Sequence, residues 1–178
     1  MSNLTFAISL PSDRLTTLSL QNLVPTIANA TLDASTPNVA LLTFTALPGQ
    51  SLSGTQQLAR LNFTAAPGQT STFIPLELGN VSGQRAQPGL APTLLLNNGR
   101  VVMVDGQPLL EAARSYLDGV RWLTIYGRSG SNYMIETSTN PANPAAWQSW
   151  RVVGVTNLVG TTTADAGTNG AIIFYRAR

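Results

Sequence analysis

The chain contains no cysteine, no histidine and, among its 10 basic residues, no lysine. Without cysteine there is no disulfide, no thiolate nucleophile and no Cys/His zinc site. Without histidine there is no imidazole to act as a general base. Without lysine there is no phosphate-loop lysine, no Schiff base and no Lys–Asn isopeptide crosslink. Charge is scarce as well. Only 10% of the 178 residues are charged, against about a quarter in ordinary soluble proteins. The surface must therefore be built of Thr, Ser, Asn, Gln and Gly, as in extracellular β-proteins and in subunits that bury much of their outside. No stretch reaches the roughly 18 consecutive apolar residues of a membrane-spanning helix. The sequence pI of about 9.5 rests on a net charge of only +2. The arginines are scattered from Arg14 to Arg178 with no dense basic run, so nucleic-acid binding is not expected.

Hydrophobic residues make up 43% of the chain, enough to bury a core and to argue against disorder. They are arranged with a period of two. In "LTFAISL", Leu4, Phe6, Ile8 and Leu10 alternate with polar or small residues, and the pattern stops at the turn cluster "PSD". "LTTLSLQNL" follows, then a looser run to Pro37. "VALLTFTA" (39–46) is apolar on both faces, as a central strand should be. "LARLNFTA" (58–65) puts Ala59, Leu61, Phe63 and Ala65 on one face. Pro75 in "STFIPLELG" argues for an edge strand or a bulge. "TLLLNNGRVVMV" reads as a hairpin turning at Asn98-Gly99. The two "FTA-x-PGQ" pieces read as two Pro-Gly type II turns rather than a repeat. A boundary falls at "VDGQP". Beyond it, "LLEAARSYL" (109–117) suits a short helix or a strand. The Asp118-Gly119 signal that follows favours a strand. Further strands are "VRWLTIYG", "NYMIETS", "WQSWRVV" and "AIIFYRA". The fold class expected is all-β: two tandem antiparallel β-sandwiches, residues 1–104 and 105–178.

The runs "NLTFAISLPSDRLT", "LSGTQQLARLNFTA" and "LLLNNGRVVMV" resemble the cohesin-like and carbohydrate-binding-module β-sandwich superfamily over about residues 3–104. Cohesins bind dockerins, and the related modules bind polysaccharide or act as scaffold spacers. That family carries a strand before the "l-x-F" strand, for which this chain has no residues. The resemblance therefore implies a vacancy beside the opening strand. The run "LTIYGRSGSNYMIETSTN", Trp147 and "FYRAR" looks like a small, fibronectin-III-like sandwich domain at the C-terminal end of large secreted bacterial proteins, covering about 119–178. The carrying residues are Leu123, Ile125, Gly127, Gly130, Tyr133, Ile135, Glu136, Ser138, Thr139, Trp147, Phe174, Tyr175 and Arg176. This likeness implies architecture and an exported parent, and no activity.

The candidate sites follow. Leu4, Phe6, Ile8 and Leu10 mark a strand-acceptor edge, open to a strand from another copy or from an upstream segment. Trp150 and Tyr133 form a candidate sugar platform, since aromatic faces stack on the C–H faces of pyranose rings. Trp147 falls where the resembling family has a core Trp and, three residues from Trp150, on the opposite strand face. The eight carboxylates show no acid/base pairing of the kind that glycoside hydrolysis needs. Glu77, Glu111 and Glu136 read as solvated strand positions, with Glu136 pairing Arg121 or Arg151. Asp165 and Asn169 offer too few oxygens for calcium. The four N-x-S/T triplets, at Asn3, Asn29, Asn62 and Asn80, are common by chance in a Thr- and Asn-rich chain. Arg176 and Arg178 can anchor a carboxylate. No catalytic residue, metal or cofactor is expected. The expected function is that of a non-catalytic extracellular structural or assembly protein, docking by strand complementation. The alternative is a carbohydrate-binding or adhesion module. The expected partners are protein, with polysaccharide second, and no nucleic acid. With Met1 followed directly by strand, no signal peptide is read, and export is expected through a longer parent.

Overall fold

Residues 1–85, 95–114, 120–164 and 172–178 are described by a computed structural model. The chain divides into two compact units: 1–69 with 73–101, and 70–72 with 102–178. All regular structure among the described residues is strand, apart from one 3₁₀ turn at Pro144–Ala146, and every described register is antiparallel. The fold belongs to the all-β, β-sandwich class.

The first unit is built on a five-stranded sheet. Its strands are β1 (Asn3–Ser9), β3 (Ile27–Asp33), β4 (Val39–Ala46), β6 (Thr72–Gln84) and β7 (Gly99–Met103), in the order β3-β4-β1-β6-β7. A second, two-stranded sheet pairs β2 (Leu15–Asn22) with β5 (Ala59–Ala65). Alternation decides which face is buried. Ala40, Leu42, Phe44 and Ala46 of β4 point inward and are buried, as are Ile8 and Ile74. Phe6 and Phe44 stack there with centroids 5.9 Å apart. At "LPGQ" the Gln50 amide donates to the Leu47 carbonyl at 2.9 Å, and Gly49 has φ +76. That is the type II turn expected of Pro-Gly. Gly68 repeats it with φ +73.

Three expectations are corrected in this unit. β1 is not an edge: it pairs with β4 on one side and β6 on the other. Even the residues before it are held. The Met1 carbonyl accepts from the Leu52 amide at 2.7 Å, and the Ser2 amide donates to the Gln84 carbonyl at 2.9 Å. Strands from later in the chain fill the place the resemblance leaves open, so Leu4, Phe6 and Ile8 are core-facing residues of an interior strand, and Leu10, just past its end, is buried. β3 lies inside the run read as loose, its alternation muted by small and polar residues. Residues 95–98 are not strand. The Asn98 side chain instead accepts from the Leu78 amide at 3.0 Å, which ties it to β6 rather than to a hairpin turn. The first residues of the expected hairpin, 93 and 94, lie outside the described residues. Pro75 precedes the part of β6 in register with β1, which runs Glu77–Gln84. The bulge in that register sits at Asn80, whose φ of +48 Asn tolerates better than most residues.

The second unit has two three-stranded sheets. One is β12 (Val159–Thr163), β9 (Arg121–Tyr126) and β8 (Leu109–Arg114); the other is β11 (Gln148–Val155), β10 (Ser131–Ser138) and β13 (Phe174–Ala177). Leu123 and Ile125 from the first sheet and Ile135, Val153 and Val155 from the second form one buried cluster. The two sheets therefore sandwich a shared core. The stretch at 109–117 is strand over Leu109–Arg114; Asp118-Gly119 lies outside the described residues.

Candidate functional site

Trp150 and Tyr133, the expected sugar platform, both pack against the buried cluster of the second unit. Trp150 meets Tyr175 edge-on with centroids 5.6 Å apart, and the Arg151 guanidinium covers its ring at 4.6 Å. The Tyr133 hydroxyl accepts from the Arg128 amide at 2.8 Å. Both rings are partly buried and engaged by the fold, which corrects the reading of the pair as a free platform. Trp147 is half-buried with Arg176 stacked over it at 4.3 Å. Trp147 caps the 3₁₀ turn before β11, and the register shift of the β10–β11 pair falls at Trp150, so strand alternation does not relate the two tryptophans.

The open aromatic face lies on the other sheet of this unit. Because Leu123 and Ile125 point into the core, Trp122, Thr124 and Tyr126 point outward. The registers set three rows across that face: Ala113–Trp122–Thr163, Glu111–Thr124–Thr161 and Leu109–Tyr126–Val159. Trp122 is 41% exposed. The Tyr126 hydroxyl donates to Glu111 Oε2 at 2.9 Å, which steadies both groups. Trp122 and Tyr126 are four residues apart on one strand, about 13 Å at the rise of an extended chain. Between them stand the Thr124 and Thr161 hydroxyls and the Glu111 carboxylate. Such a face offers apolar rings for the C–H side of a sugar, and donors and acceptors for its hydroxyls.

Glu136 is buried rather than solvated, and its partners are not Arg121 or Arg151. Arg176 Nε lies 2.6 Å and Arg178 Nε 3.0 Å from its Oε2. Met134 and Arg178 exchange two backbone hydrogen bonds of 3.0 Å. Arg176 and Arg178 thus lock the last strand onto β10. Arg151 instead donates from Nη1 to Thr162 Oγ1 at 2.6 Å, linking the two sheets. Glu111 accepts from Tyr126, and Glu77 is exposed. Asp165 and Asn169 lie outside the described residues. Among the described residues, no group of three or more Asp and Glu is placed to hold a metal ion, and no helix is long and apolar enough to cross a membrane.

No family model, curated protein or solved structure matches this chain. Its reading rests on its own residues. The signal for the Trp122 face was present in "RWLTIY", where Trp, Thr and Tyr alternate with Leu and Ile. The closeness of Trp147 and Trp150 in sequence does not decide which rings stay open.

Proposed function

We propose that this chain is a non-catalytic, extracellular binding module that holds a neutral polysaccharide on the outer face of β8, β9 and β12. The observation carrying this reading is the Trp122 ring, open to solvent on the same face as Tyr126, Glu111 and a set of threonines. An exposed Trp on an otherwise regular strand, beside a Tyr oriented by a carboxylate, favours recognition over packing. A low-charge surface suits an uncharged partner better than a charged one. The lack of histidine, cysteine and lysine supports a role in binding without catalysis. The polysaccharide reading takes precedence over strand docking because the expected acceptor strand, β1, has its neighbours already.

The test is retention of the full chain on insoluble cellulose, chitin and xylan, and the comparison is Trp122→Ala. A buried Trp covers about 150–250 Å². With 41% of Trp122 open, about 60–100 Å² is left for a ligand to cover, worth about 1.5–2.5 kcal/mol at ~25 cal/mol per Å². Trp122→Ala should therefore weaken retention by about 10- to 60-fold, read at a temperature below the variant's own melting point. Undiminished retention in Trp122→Ala, or no retention of the native chain on any of the three polymers, overturns the proposal.

A further inference from the structure

The outward face of the five-stranded sheet carries an ordered polar array that the aromatic face does not explain. The registers align Asn29 of β3, Thr45 of β4, Asn3 of β1 and Gln84 of β6 in one row. They align Thr31, Thr43, Thr5 and Ser82 in the next. Eight consecutive positions of a two-row, four-strand lattice thus carry an amide or a hydroxyl, and none carries a charge. All eight are at least partly open to solvent. Neighbouring side chains lie close: the Thr5 hydroxyl is 3.4 Å from Asn3 Oδ1 and 3.3 Å from Thr43 Oγ1. Asp33 and Glu77 stand in the rows beyond, paired in register with Leu41 and Ser9.

This face is not flat. A cleft of about 350 Å³ opens beside it, walled by Asn3, Thr45, Gln84 and the Leu47–Gln50 turn. A second cleft, of about 220 Å³, is lined by Asn3, Thr5, Ser82 and Gln84. Asn3 and Gln84 belong to both, so the two hollows adjoin. The first is within the size range of small-ligand sites. The second is bounded by amide and hydroxyl side chains, and the first adds the apolar Ala46, Leu47 and Pro48 to Asn3, Thr45, Gln50 and Gln84; an amide can meet a neighbouring donor and acceptor on one ligand with its own oxygen and nitrogen. A charged ligand would find no ionisable side chain in the two rows to pair with, and burying it unpaired is costly. An apolar ligand would leave the rows unsatisfied. The ligand chemistry that remains is uncharged and dense in hydroxyls.

We infer that the paired clefts over Asn3 and Gln84 form a second binding site, in the first unit, for a short neutral oligosaccharide. It binds by hydrogen bonds without aromatic stacking. The site is independent of the Trp122 face and stands or falls separately from it. The triplet Asn3-x-Thr5 supplies two lining residues of the second cleft. Residues i and i+2 share a strand face, so what reads as a chance sequon here places one polar side chain in each of the two rows.

The experiment is calorimetric titration of the full chain with cellopentaose, xylopentaose, mannopentaose and chitopentaose, with a galacturonic acid oligomer as the charged comparison. The expected result is saturable, enthalpy-driven binding of at least one neutral probe. That binding should persist in Trp122→Ala and fall at least 10-fold in Gln84→Ala. Thr45→Val keeps the side-chain shape and removes the hydroxyl; it should weaken the same probe without changing the melting temperature. The inference is overturned if no neutral probe binds, if the acidic oligomer binds more tightly, if Gln84→Ala leaves the binding intact, or if Trp122→Ala abolishes it.

Discussion

Replacing Gly127 with alanine tests how the second unit is packed at the start of the β9–β10 connection. A Cβ built at Gly127 points into the Tyr133 ring, 2.7 Å from Cζ and 2.9 Å from Oη, with Cε2 nearer still. The ring has little room to yield. Its body packs against the buried cluster of Leu123, Ile125, Ile135, Val153 and Val155, and its hydroxyl is held by the Arg128 amide. The Gly127 amide is itself bonded to the Leu158 carbonyl at 3.1 Å, so the backbone is held too. Overpacking of this kind costs about 1–3 kcal/mol, and losing the Tyr133 hydrogen bond adds about 1 kcal/mol. The sum, about 2–4 kcal/mol, corresponds to a drop on the order of 10–30 °C in the melting of a unit this size. Thermal unfolding followed by near-ultraviolet circular dichroism would report it. The decisive variant is the double mutant with Tyr133→Leu. Removing the ring removes the clash, so the double mutant should be more stable than the sum of the single effects implies. Strict additivity, or a Gly127→Ala protein that melts with the native one, would refute the packing account.

Glu136→Gln should destabilise the second unit by about 1–2 kcal/mol, because two arginines lose a charged acceptor whose side chain is only 11% exposed. The value stays below that of a fully buried pair because Arg176 and Arg178 remain 32% and 61% exposed. Hydrogen exchange at the Arg178 amide should accelerate in the same variant, and unchanged protection there would argue against the lock. Asp33 is held below its ordinary value of 3.8, first by the Ser35 backbone amide, which donates to its carboxylate at 2.9 Å. With the folded pKa lowered, the stability this turn contributes is present above pH 3.8 and is lost as the pH falls through the lower, folded value. A carboxyl titration by nuclear magnetic resonance should find the midpoint below 3.8 and find it restored in Ser35→Pro, which lacks the amide donor; a native midpoint at or above 3.8 contradicts the assignment.

Period-two alternation is a property of neighbouring residues, and it was enough to read β1, β4 and β5 and the all-β class. The Pro-Gly turns were legible for the same reason, since a type II turn is decided by the residues inside it. β3 and β12 escaped because threonine, asparagine, alanine and glycine soften the contrast between their faces. The edge expected at Leu4, Phe6, Ile8 and Leu10 failed for a different reason. A strand's hydrogen-bonding partners are backbone groups, and nothing in its own side chains records who they are. Glu136 looked solvated because its two arginines arrive at the far end of the chain.

By itself, then, the sequence determined which chemistry this protein lacks, and that its segments form strands. Only the tertiary structure decided which strands meet and in what register. Register brings Asn3, Thr45 and Gln84 into one row and sets Trp122 on the face opposite the core that Tyr133 and Trp150 pack against. The physical reason is that face is set by local backbone geometry, whereas neighbourhood is set by pairing between strands distant in the chain.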